Sequence, residues 1–204
     1  MIFRIVKVLI SAMAFMTLAL PGMSQEKWKL ELSYNPNVPM SSFKEYIDQT
    51  SRNGWGVRFA FGVNPSWEVG ANFGFQDYYK KLPRQVYITK DGEISAVQSR
   101  SIQTVPLMVN VRYKFGEEGG IRPFLGSGIG GAFVTNSVWW GQFSETDKGF
   151  RFAIAPEAGV SIPVGRFKTS SLNLGLNYNY SGYKTENYDN ISGIGLRVGL
   201  AFPL

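Results

Sequence analysis

The chain contains no cysteine and no histidine, and each absence removes a class of chemistry. Without cysteine there are no disulfides, thiolate nucleophiles or zinc ribbons. Without histidine, the base on which membrane-barrel proteases, phospholipases and deacylases generally rely is missing. Charged residues are few, at 18%, and nothing in the sequence calls for a cofactor or a metal. Aromatics reach 15% and glycine numbers 23 of 204 residues, a composition that suggests β-structure rather than disorder or a helical bundle. The length fits one domain.

The amino terminus reads as targeting. Arg4 and Lys7 form a basic start, Val8 to Leu20 is an apolar run too short to span a bilayer comfortably, and Pro21-Gly22-Met23-Ser24 supplies small residues for cleavage. Cleavage is expected between Ser24 and Gln25, which divides the chain into a signal peptide (1–24) and a single β-barrel domain (25–204). Losing Arg4 and Lys7 leaves a formal charge of +4, a mild basic bias that is not a nucleic-acid signature.

Beyond the signal, period-two alternation recurs and almost nothing has helical period. Trp28, Leu30, Leu32 and Tyr34 share one face, with Lys29, Glu31 and Ser33 on the other. Similar alternation runs through Trp55–Val63, Trp67–Gln76, Thr104–Phe115, the glycine-rich Arg122–Phe133, Phe150–Ile162, Leu172–Tyr180 and Ile194–Phe202. Eight strands are therefore expected. Their connections alternate in length. Those near 64–66, 116–121 and 163–170 are short, while 36–53, 80–101, 134–149 and 181–191 are longer, polar or irregular. An even strand number with short turns at one end and long loops at the other is the arrangement of a transmembrane barrel with both termini in the periplasm. Pro106 and Pro156 fall inside strands and predict bulges or strand ends there.

Alternation alone leaves open a soluble, lipocalin-like barrel with an apolar interior. The face contents favour the membrane. One face combines glycines and alanines with Glu31, Arg58, Glu68, Arg112, Arg151, Glu157 and Arg197, small residues and opposite charges that can fill a tight eight-stranded lumen. The other is aliphatic in its middle, with Trp28, Tyr34, Trp55, Trp67, Phe115, Tyr178, Tyr180 and Phe202 toward strand ends, resembling two aromatic girdles. Turned toward lipid, each arginine would cost about 2–4 kcal/mol near the midplane. The expected fold is thus all-β, an eight-stranded antiparallel up-and-down transmembrane β-barrel with those seven charges as its lumen network.

Arg122-Pro123-Phe124-Leu125-Gly126-Ser127-Gly128-Ile129-Gly130-Gly131-Ala132-Phe133 and the final strand Gly193 to Phe202 resemble the small outer-membrane barrels of the OmpX, OmpW and OmpA transmembrane-domain type. The resemblance implies a bacterial outer-membrane location, export through the periplasm and recognition of the last strand by the barrel insertion machinery. The terminus departs from the pattern by ending Phe202-Pro203-Leu204.

The sequence holds three further motifs. Gly126-x-Gly128-x-x-Gly131 matches a dinucleotide fingerprint only on paper, since no crossover helix follows. Ser42-x-x-Glu45 reads as a capping box opening a short helix in the first long loop. Lys80, Lys81, Arg84, Lys90 and Arg100 outnumber Asp91 and Glu93 in the second, which could meet lipopolysaccharide phosphates or simply be solvated. The expectation is a monomeric, non-enzymatic barrel with a structural or surface-interaction role and a lumen closed by Arg/Glu pairs. A narrow porin-like channel and a lipid-modifying enzyme are the alternatives. Expected partners are outer-membrane lipid and lipopolysaccharide; nucleic acid is not expected.

Overall fold

In a computed structural model, residues 27–89, 92–166 and 169–204 are described, apart from the side chains of 87–89 and 92–94. The signal segment with Ser24 and Gln25, and Lys90 and Asp91 of the basic loop, lie outside the described residues.

The elements in chain order are β1 (Trp28–Tyr34), β2 (Asn37–Pro39), α1 (Ser41–Tyr46), β3 (Asn53–Gly62), β4 (Trp67–Thr89), β5 (Gly92–Lys114), β6 (Arg122–Trp140), β7 (Phe143–Val164), β8 (Ser170–Ser181) and β9 (Ile191–Pro203). All neighbours pair antiparallel, and β1 closes on β9 so that eight strands form a ring. The ninth, β2, continues β1. Tyr34 pairs with Val198 and Asn37 with Gly195 in one unbroken register along β9, with Pro36 at the interruption. Outward positions such as Leu32, Phe59, Leu107, Val109, Ile129, Phe152 and Leu196 are apolar and exposed, while Glu31, Arg58, Asn110, Arg112 and Asn173 are buried. The polar face is the inner one.

Two of the four long connections are not loops. β4 and β5 run on to Thr89 and Gly92, and β6 and β7 turn at Gly141, where φ is +64°. Beyond Asp77, β4 loses its β3 partner, and β7 gains its β8 partner only at Ala153. Between those points β4 to β7 rise as a four-stranded sheet, and the β4–β5 ribbon continues past the last β5–β6 pair, Gln98 with Trp140. From Asp77 to Thr89 the strand covers about 40 Å at 3.3 Å per residue. Alternation fades in this part of the sequence because both faces meet polar surroundings, so no apolar side marks the strand.

Pro106 and Pro156 make no bulge. Pro106 pairs with Ala132 on β6, yet on its other side Gly74 and Phe75 of β4 make no pair with β5, and the register resumes unshifted at Gln76–Thr104. Pro156 pairs with Ser127 and leaves the same kind of gap against β8. A proline lacks a donor toward one neighbour only, so each ladder skips two pairs without slipping. The bulge falls at Pro83, between Leu82 and Arg84.

At the opposite end the turns are short. Asn64 Oδ1 accepts from the amides of Ser66 (2.9 Å) and Trp67 (2.8 Å), an Asx turn that fixes the β3–β4 reversal. Trp28 against Phe61 and Trp67 against Tyr113, with ring centroids 5.0 and 4.9 Å apart, sit at that rim.

Candidate functional site: the charged lumen and the surface above it

Strand parity brings Glu31 (β1), Arg58 (β3), Glu68 (β4), Arg112 (β5), Glu157 (β7) and Arg197 (β9) into one layer across the lumen. Arg112 is its centre, with no exposed surface. Its Nη1 donates to Glu31 Oε2 at 3.0 Å and its Nε to Glu157 Oε1 at 3.0 Å. Arg197 holds the other oxygen of Glu157. Arg58 divides Nη1 between Glu31 (3.4 Å) and Glu68 (3.6 Å), and its Nε donates to Asn110 at 2.7 Å. Asn173 adds a third donor to Glu31 Oε2. Such charges are tolerable inside a barrel because each carboxylate is met by several donors.

Arg151 does not join this layer. It lies at an inward position beside Ala132, but higher on β7, exposed, and donates to the Phe150 carbonyl at 3.0 Å. Parity predicts its side of the strand and says nothing of its height. Three members are absent from the sequence-derived network: Lys29 and Lys114, both on Glu68 (3.1 and 2.7 Å), and Phe124, whose ring lies 4.1 Å from the Arg112 guanidinium carbon. Shared parity with Arg58, Arg112 and Gly126 is the signal that could have found them.

At Gly126, Gly199 and Gly159 the missing Cβ leaves room for carboxylates and for Phe124. A Cβ on Gly126 would stand 2.8 Å from the Val111 carbonyl oxygen and 3.0 Å from Glu157 Oε1. One on Gly199 would meet Glu31 Oε1 at 3.0 Å, and one on Gly159 the Phe124 ring at 2.7 Å. Gly128 faces Met108 in the same lumen, which leaves the paper dinucleotide motif inside a β-strand.

Above the ionic layer the mouth is plugged. Phe43, Tyr46 and Ile47 of the first loop pack with Tyr78, Ile102, Val134, Tyr183, Tyr188 and Ile191. Phe43 contacts Tyr78 edge-on with centroids 5.0 Å apart, and Tyr46 lies 5.2 Å from Tyr188. Helix α1 forms as expected near Ser42, but the capping box does not. The N-cap is Met40 without a side-chain cap, and Ser42 Oγ instead accepts from the Asp189 amide. Packing of Phe43 and Tyr46, rather than a cap, stabilises so short a helix.

The basic segment is divided. Arg100 stands 4.1 Å over the Tyr46 ring and donates to the Tyr46 carbonyl, while Lys80 pairs with Asp48 at 3.1 Å. That hydrogen bond holds the Asp48 carboxyl below the usual carboxylate range. Lys81 and Arg84 are exposed. Among the described residues no cluster of carboxylates is arranged to hold a metal ion.

The molecule is thus a closed eight-stranded ring with an apolar exterior, a charged interior, short turns at one end and tall hairpins at the other. The outer membrane protein beta-barrel domain family matches residues 8–202. The chain belongs to that family. It is accordingly a bacterial outer-membrane protein, and the tall hairpins stand on the extracellular side. Among solved structures it is similar to Neisserial surface protein A, with TM-score 0.60 and 17% identity over 90% of this chain and all of that one. It is also similar to Ail, the attachment invasion locus protein of Yersinia pestis in complex with sucrose octasulfate, with TM-score 0.48, 11% identity, and coverage of 86% and 97%. A third likeness is to the outer membrane enzyme PagL, with TM-score 0.39, 14% identity, and coverage of 85% and 99%. No curated protein sequence matches the chain. Outer-membrane barrels of this kind have varied roles, so the fold does not assign one.

Proposed function

We propose that the protein is a non-enzymatic outer-membrane barrel that works as a surface display scaffold, its lumen closed and its four-stranded extracellular sheet forming the working surface. The observation that carries this reading is the sheet itself. Its outward side exposes Tyr79, Trp139 and Thr146, with Ser99 half-buried and Ser101 and Ser137 buried beneath them, tied together by Tyr79–Ser99, Ser101–Asp77 and Ser137–Thr146 hydrogen bonds. A rigid surface that exposes the Tyr79 and Thr146 side chains and the Trp139 ring suits polar and sugar-like partners, and Lys81 at its edge suits phosphate, as on lipopolysaccharide. Both free edges are blunted against strand addition, β4 by Lys80, Lys81 and the Pro83 bulge and β7 by Glu145, Asp147 and Lys148. The face is therefore the contact surface.

The absence of histidine supports the non-enzymatic reading, and the inward carboxylates are already committed to arginine or lysine. Shortening both hairpins to tight turns near Asp77–Gln103 and Thr135–Lys148 tests the proposal. The shortened barrel should still shift on heating in gels and lose attachment of expressing cells to glycan-coated or lipopolysaccharide-coated surfaces. Unchanged attachment would sink the surface reading, and an altered lipid A or phospholipid profile on deletion of the protein would favour an enzyme.

A further inference from the structure

The two faces of the four-stranded extracellular sheet differ in charge. Toward the plug stand Lys80, held by Asp48, and Arg100, held on Tyr46, together with the exposed carboxylates of Glu145 and Asp147. The outward face carries Lys81, Arg84 and Lys148, all exposed, and among the described residues none of these side chains has an ion-pair or hydrogen-bond partner. Asp77, the one carboxylate described on that face, is half-buried and accepts from Ser101 Oγ at 2.9 Å.

Lys81 and Lys148 stand at one level although three strand spacings separate them. The sheet leaves the barrel along an oblique line, because β4 loses β3 at Asp77 whereas β7 meets β8 only at Ala153. Through Gly130 and Met108, Ala153 lies in register with Asn72 of β4, below Asp77. Counted from that line, Lys81 is four residues up β4 and Lys148 five residues up β7. At 3.3 Å per residue and a strand tilt of about 40°, both lie roughly 10–13 Å above the rim of the barrel. Exposed Trp55, Phe150 and Phe152 border the rim and mark the top of the apolar band. Polar headgroups occupy about 5–8 Å beyond the hydrocarbon, and long cationic side chains reach back toward that zone. Between the cations the face presents Tyr79, Trp139 and Thr146, groups that suit sugar rather than acyl chains.

We propose that the outward face binds phosphorylated glycolipid of the protein's own leaflet, lipopolysaccharide in a Gram-negative outer membrane, with Lys81, Arg84 and Lys148 as its phosphate contacts. Free cations at headgroup level complement phosphate in charge and position. Lys81 and Lys148 are roughly 20 Å apart across the sheet, so they hold neighbouring headgroups and the sheet stands in a partial collar of lipid. The inference takes its face from the surface reading above and names the lipid that meets it, leaving the hairpin tips to the display partner.

The test reconstitutes the refolded full barrel in phosphatidylcholine nanodiscs containing a small fraction of lipopolysaccharide and counts that lipid per disc against discs without protein. The unaltered barrel should enrich it. Each of Lys81→Glu, Arg84→Glu and Lys148→Glu should lower the apparent affinity about fivefold or more, and the three together should abolish the enrichment. Lys184→Glu, which reverses a cation already paired with Asp189, should have no effect. Lipopolysaccharide stripped of phosphate and enriched as strongly as the intact lipid would overturn the proposal. So would a triple variant that still shifts on heating and enriches like the parent, a loss on Lys184→Glu equal to that on Lys148→Glu, or a loss confined to Lys81→Glu and Arg84→Glu. Attachment of cells expressing the triple variant to surfaces coated with uncharged glycan should be unchanged. Attachment that survives hairpin shortening, beside variants that lose lipid, would sink the display reading and leave the lipid contacts standing.

Discussion

Phe124 lies under Arg112 like a floor, its ring 4.1 Å from the guanidinium carbon, while Glu31 and Glu157 grip the guanidinium from two sides. One side chain thus ties β1, β5, β6 and β7 together across the lumen. The flat guanidinium suits both its aromatic and its carboxylate contacts, which a lysine could not satisfy together.

Replacing Arg112 with Met should therefore cost more than its loss of packing. Two buried carboxylates would each lose a partner, a penalty of about 3–5 kcal/mol. Phe124→Leu removes only the ring contact and should cost about 1–2 kcal/mol. Urea unfolding of the refolded proteins measures both, and equal effects would contradict the central role given to Arg112.

Gly126→Ala should destabilise by about 1–3 kcal/mol, since the new methyl group meets both backbone and the Glu157 carboxylate. Gly120→Ala, whose Cβ would have no neighbour nearer than 3.7 Å, should be close to neutral. A comparable loss in both variants would show that glycine content, not its placement, matters.

Tyr46→Ala should loosen the plug and leave the ring of strands intact. It removes the ring beneath Arg100 and against Tyr188, so cleavage by an added protease between residues 41 and 52 should accelerate by about tenfold or more. Heat-modifiable migration should persist. Resistance equal to the parent would mean the loop is held chiefly by its backbone.

The two neighbouring lysines should separate in function. Lys81→Glu should weaken association with lipopolysaccharide, whereas Lys80→Glu should instead free the first loop, because Lys80 is engaged with Asp48. Identical losses of lipopolysaccharide association in both would contradict this division of labour.

Much of this architecture can be read from residue order. Inside the lipid band one face must be apolar, so Leu107, Val109 and Val111 alternate cleanly with Met108, Asn110 and Arg112. Parity then identifies the inward charges. What parity cannot supply is height along the barrel, which separates Arg151 from Arg197, or the long strand ends beyond Asp77, where no lipid imposes a pattern. The plug was also hidden, because Phe43, Tyr46 and Tyr188 come from two different loops and only the closed ring brings them together. Prolines misled for a simpler reason. Pro106 and Pro156 each lack one donor, and the sequence does not say whether the ladder answers with a slip or a gap.

Conductance of the refolded full barrel in planar bilayers tests most directly whether the lumen is closed and the surface is the working part. With the ionic layer and the plug in place, the unaltered protein should give no resolvable steps. Stable ohmic steps from that protein would contradict it and make the charged lumen a pathway instead of a seal.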